Sequence, residues 1–110
     1  MDMKAYLIDD RFWKNKMEVV RTKMIQYQWI ALNDLVEDAA PSHCVKNFRI
    51  AAGMEKGDFQ GCVFQDSDLA KWLEAVGYTL AWKKDRELEQ MADEVIAVIE
   101  KAQHPDGYLD

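Results

Sequence analysis

The 110 residues carry 14 Lys+Arg against 20 Asp+Glu, a net charge of −6, with 49% hydrophobic and 31% charged residues. A chain of this size buries somewhat over ~60% of its unfolded surface, so one small soluble domain is expected, with a core but little depth for a large catalytic cavity. No apolar run approaches the ~18 residues of a membrane-spanning helix, and a sequence pI near 4.9 opposes phosphate backbones, so neither a membrane nor a nucleic-acid partner is expected.

The first ten residues set no basic stretch before an apolar one, so no secretory signal and a cytoplasmic location are expected. Asp9 and Asp10 can cap a first helix over about 12–24, where Trp13, Met17, Val20 and Met24 recur at spacings of four, three and four along one apolar face. From 25 to 34 aromatic and polar residues alternate less regularly, and Asn33-Asp34 signals a turn. Pro41 draws Ala40 out of the helical region, which makes 37–41 a loop. Ser42 is the expected N-cap of a short helix with Cys44, Val45, Phe48, Ala51 and Ala52 inward and Gly53 as its stop.

Loop signals follow at 56–58 and 60–61. The next helix opens at Asp66-Ser67-Asp68, whose carboxylates suit the positive end of a helix dipole, and sets Leu69, Trp72, Leu73, Val76 and Leu80 on one face. After Lys83-Lys84-Asp85 comes the clearest amphipathic pattern of the chain. It buries Leu88, Met91, Ala92, Val95, Ile99 and Ala102 and exposes Glu89, Asp93, Glu94 and Glu100. The short connection makes the last two helices an antiparallel hairpin, and His104-Pro105-Asp106-Gly107 is a turn. Strand signals are confined to Tyr6-Leu7-Ile8 and Cys62-Val63-Phe64, too short for a sheet. The expected class is all-α with minor short extended segments.

Asp66 and Asp68 invite the two-carboxylate chemistry of glycoside hydrolysis, but residues two apart at a helix start do not project to one side, and capping explains them. Gln65 beside them can either bond a hydroxyl-rich ligand or satisfy loop backbone. His43, Cys44, Cys62 and His104 are the soft metal ligands, and their separations match no paired zinc spacing. Two cysteines are too few for a disulfide framework and are expected to be reduced. His43 and Cys44 diverge by about 100° on a helix, which also denies Cys44 a base. Among the tryptophans, Trp13 and Trp72 fall on predicted core faces, whereas Trp29, next to Gln28, suits either a sugar ring or the cap of a helix bundle.

In this order and spacing, several segments together resemble the N-terminal part of glycoside hydrolase family 127, the β-L-arabinofuranosidase family. They are Ile8-Asp9-Asp10-Arg11-Phe12-Trp13, Tyr27-Gln28-Trp29 through Ala31-Leu32-Asn33-Asp34, and Ser42-His43 with Asn47-Phe48-Arg49-Ile50-Ala51-Ala52-Gly53. Val63-Phe64-Gln65-Asp66-Ser67-Asp68, Lys71-Trp72-Leu73-Glu74-Ala75 and Ala102-Gln103 with Asp106-Gly107-Tyr108-Leu109 complete the set. The resemblance implies an α/α (six-hairpin) barrel catalytic domain, of which residues 1–110, a single helical unit, would supply the opening helical hairpins and stop in mid-domain. It also implies removal of terminal β-L-arabinofuranose with retention, by a cysteine nucleophile held on zinc by further cysteines and a glutamate, with another glutamate as acid/base.

Those groups lie beyond this region, and neither Cys44 nor Cys62 falls at a family catalytic position. No catalytic residue, metal ligand or cofactor of the chain's own is therefore expected, and the isolated chain is expected to be inactive. Where the family commonly has proline before its Tyr-Gln-Trp, this chain has Gln26, which lets the first helix run on. The candidate substrate-binding residues are Gln28, Trp29, His43, Phe64, Gln65, Asp66 and Asp68. Uncovered apolar faces imply as partner the remainder of the catalytic domain or self-association as a homo-oligomer. The alternative reading is a free-standing acidic helical interaction module without enzymatic activity, because amphipathicity looks the same in a scaffold and an adaptor. A third, a small zinc-binding regulator using both cysteines, would carry stoichiometric zinc.

Overall fold

The computed structural model describes residues 6–109, and the reading of the leader falls in part on 1–5, outside them. Asp10 opens the first helix: its side chain accepts the Trp13 N–H at 3.0 Å, satisfying one of the orphan donors of the first turn. The elements are α1 (Arg11–Val19), a π-helical turn (Val20–Met24), α2 (Ile25–Leu32), α3 (Cys44–Ala51), α4 (Asp66–Trp82) and α5 (Arg86–Ala102). Among the described residues there is no strand: 6–8 is irregular, and 62–64 belongs to the turn that leads into α4, where the Gln65 N–H donates to the Cys62 carbonyl.

The first three elements form one rod from 11 to 32, longer than the periodicity predicts, with Gln26 continuing it. The regular pattern is lost because the π-turn inserts a residue. Met17 and Ile25 are eight apart across it, and Ile25 and Leu32 seven apart beyond it. Within the turn the Ile25 N–H reaches back to the Val20 carbonyl, and the Thr22 hydroxyl donates to the Glu18 carbonyl at 2.6 Å. The phase shift turns Met24 outward, 49% exposed, while Ile25 is fully buried; Trp13, in the first turn of α1 ahead of the π-turn, is 57% exposed rather than in the core. Trp13 instead meets Phe12 edge-on, with ring centroids 5.1 Å apart.

The start of α3 corrects a second expectation. Ser42 is not its N-cap; His43 is, in the left-handed region at φ 59°, and its side chain makes no capping bond. Asp34 performs the anchoring from a distance. Itself at φ 61°, it accepts the N–H groups of Ser42 at 2.6 Å and His43 at 2.9 Å, closing the 35–41 loop. Asp34 tolerates this backbone better than most residues because its short carboxylate bonds locally. At the far end Gly53 takes φ 73°, and the Met54 and Gly53 N–H groups bond the Arg49 and Ile50 carbonyls in a Schellman closure. Ala51 is exposed rather than inward.

Helix α4 carries Asp66 and Asp68 in its first turn as expected, although its N-cap residue, Gln65, makes no side-chain capping bond. In α5, Asp85 caps by accepting the Leu88 N–H at 3.0 Å. The two helices pack as the expected antiparallel hairpin, and their buried residues, Leu69, Trp72, Val76, Leu88, Ala92 and Val95, meet Ile25, Cys44 and Val45 in one core. Trp72 locks the rod onto it: the indole N–H donates to the Ile25 carbonyl at 3.0 Å, and its ring lies 4.6 Å from that of Trp29. Arg21 completes the join by bonding Glu18 and reaching Asp85 at 3.4 Å, so the rod is tied to the α4–α5 turn.

Candidate functional site

Because the rod lies along α4 with its end folded back through Asp34, a groove of about 500 Å³ opens between them. Ala31, Leu32, Trp72 and Ala75 give it an apolar lining; Gln28, Ser42, Asp68 and Lys71 give it polar groups. Asp68 and Lys71 share a face one turn apart, carboxylate to ammonium 3.9 Å. An amide, a hydroxyl, a carboxylate and an ammonium converging beside an indole can donate and accept hydrogen bonds around a neutral, hydroxyl-rich ligand.

The candidate residues divide between this groove and other duties. Gln28 and Asp68 line it together. Trp29 is partly buried against Trp72, so its ring is taken by packing. His43 stands beside the Asp34 clamp, with Nδ1 3.8 Å from the carboxylate. Phe64 is 69% exposed. The Gln65 amide oxygen accepts the Cys62 N–H at 2.9 Å, which makes it a staple of its own loop. Asp66 lines a second, smaller cleft of about 170 Å³ with Asn47, Phe59 and His104. The two aspartates therefore serve different cavities and do not pair as acid and nucleophile.

Ser42, Lys71 and Asp34 were not singled out for this site by the sequence. The Asp68–Lys71 spacing was a usable signal for Lys71. Nothing local marks Asp34 as the anchor of residues eight and nine positions later.

The chain's thiols do not fit a zinc site. Cys44 is fully buried, its thiol donates to the Gln65 carbonyl at 3.1 Å, and burial pushes its pKa up to about 11, opposite to what a thiolate ligand needs. Cys62 is exposed. Among the described residues no three His, Cys, Asp or Glu side chains come together as a metal-binding group. Nor is any helix there long and apolar enough to cross a membrane.

Comparison with known proteins places this geometry. Residues 7–110 match the family described as β-L-arabinofuranosidase, GH127 catalytic domain. A non-reducing end β-L-arabinofuranosidase of Bifidobacterium longum subsp. longum is 39% identical over 94% of this chain and 18% of its own length. The crystal structure of Ara127N-Se, a GH127 β-L-arabinofuranosidase from Geobacillus stearothermophilus T6, superposes with a TM-score of 0.92 at 59% identity, over 94% of this chain and 16% of that one. The chain thus spans less than a fifth of the length of either relative.

Proposed function

Since the chain belongs to the GH127 β-L-arabinofuranosidase catalytic-domain family, we propose that it forms the N-terminal helices of an α/α-barrel glycosidase acting with retention on terminal β-L-arabinofuranosides. The observation that carries this reading is the superposition at a TM-score of 0.92 with 59% identity, which extends over nearly the whole chain. On this reading Gln28, Ser42, Asp68 and Lys71 orient sugar hydroxyls. The groups that break the glycosidic bond, and the zinc that would activate a thiolate nucleophile, belong to the rest of the domain. On the same reading the enzyme works in the cytoplasm.

Two experiments test this. The purified 110-residue chain is expected to release no aryl alcohol from an aryl β-L-arabinofuranoside and to bind no stoichiometric zinc; turnover or equimolar zinc would contradict it. The groove is tested where the chemistry is complete, in the Geobacillus enzyme carrying this chain in place of its own matching helices. There, Gln28→Ala and Asp68→Ala are each expected to lower kcat/KM by about tenfold to a hundredfold, the worth of one or two hydrogen bonds to substrate. Unchanged kcat/KM in both would remove the groove from the substrate site.

A further inference from the structure

Taken over all 110 residues, the chain leaves more surface open than a self-contained globule of its mass. Its accessible area is 8271 Å², whereas a compact monomer of 12.8 kDa exposes about 6,300 Å². Its radius of gyration is 15.6 Å, against roughly 13 Å for a compact domain of this length. The excess of roughly 2,000 Å² is well above the ~800 Å² each partner contributes to a standard stable interface.

Part of this surface has a definite chemistry. On the side of the rod turned away from the core, Phe12, Val19 and Tyr27 are 58%, 45% and 59% exposed. They are seven and eight residues apart, the longer step spanning the inserted residue of the π-turn, so that turn keeps them in line. Exposed Lys16 and Lys23 are interleaved with them, and Lys16 lies 5.3 Å over the Phe12 ring. The rod is strongly basic for this protein: 11–32 holds five basic residues and one acidic, net +4, in a chain of net −6.

The outer face of α5 has the opposite sign. Glu89, Asp93, Ile96 and Glu100 recur at spacings of four, three and four, all exposed, with Ile96 at 50%. The helix holds five acidic and two basic residues, net −3. Among the described residues none of Lys16, Lys23, Glu89, Asp93 or Glu100 forms an ion pair within the chain.

From these observations we infer that the 110-residue chain associates with a second copy of itself, the basic-apolar stripe of the rod on one copy docking against the acidic-apolar stripe of α5 on the other. Like faces would oppose like charges; the pairing of rod with α5 matches sign and buries the aromatic and aliphatic residues between. A two-fold axis closes the contact by using it twice. The inference concerns the free 110-residue chain; within the proposed barrel the rest of the domain would cover part of this surface.

Sedimentation equilibrium of the purified chain is expected to give twice the 12.8 kDa of one copy, with association weakening as salt rises. The Lys16→Glu/Lys23→Glu chain, its helicity checked by circular dichroism, is expected to associate roughly a hundredfold more weakly, as is Glu89→Lys/Asp93→Lys. Combining all four substitutions is expected to restore the pairing with its signs exchanged. A mass of 12.8 kDa for the native sequence up to about 1 mM would overturn the inference and leave the stripes to a different polypeptide. So would undiminished association of both charge-reversed chains, or failure of the fourfold variant to recover.

Discussion

Trp72 does two jobs in the core: it is 98% buried with its ring against Trp29, and its N–H donates to the carbonyl of Ile25, at the start of the same helix. Trp72→Phe keeps much of the first and abolishes the second, leaving the Ile25 carbonyl only its bond within the helix. Urea unfolding is expected to show a loss of about 1–3 kcal/mol. Trp13→Ala, at an exposed position, is expected to cost under about 1 kcal/mol, a reversal of the equal standing that sequence periodicity gives the two tryptophans. The thiols separate just as clearly. At pH 8 one equivalent of an aromatic disulfide reagent is expected to react at Cys62, while Cys44 reacts only on unfolding. Because the folded Cys44 holds its proton up to about 11 against an ordinary value of 9.0, its contribution to stability is complete below about pH 9. It is lost as pH rises from there toward 11; a Cys44→Ser chain with the same alkaline decline would contradict this assignment.

Elements differ in how plainly the sequence announces them. Helices α4 and α5 are legible because each keeps an uninterrupted 3.6-residue apolar period, and the three-residue connection between them permits one packing. The rod is not, since a π-turn shifts the phase midway and periodicity counted from Trp13 leads to Met24 instead of Ile25. Deleting Thr22 removes the inserted residue and turns α1 by roughly 100° relative to α2. Stability is expected to fall well beyond that of Thr22→Val, which loses only one hydroxyl bond, worth about 1 kcal/mol. Equal stability of the two variants in denaturant would show that the π-turn does not set the register. The short helix α3 is legible, but its local pattern points to Ser42 as the start, because the contact that fixes it comes from Asp34, across a loop.

At the scale of the whole molecule, the groove draws on residues 28, 42, 68 and 71, which no spacing rule would group. The sequence named Gln28 and Asp68 through family resemblance, and the fold shows why those two meet: the Trp72 bond clamps α2 along the first turns of α4. The same fold leaves roughly 2,000 Å² more surface open than a finished globule, in keeping with its match to less than a fifth of a β-L-arabinofuranosidase. Exchange of the corresponding helices in the Geobacillus enzyme tests this directly. With 59% identity at the same fold, the zinc-loaded chimera is expected to hydrolyse an aryl β-L-arabinofuranoside within about tenfold of the parent kcat/KM. A chimera with the parent's helical content and thermal transition but no turnover would contradict the account.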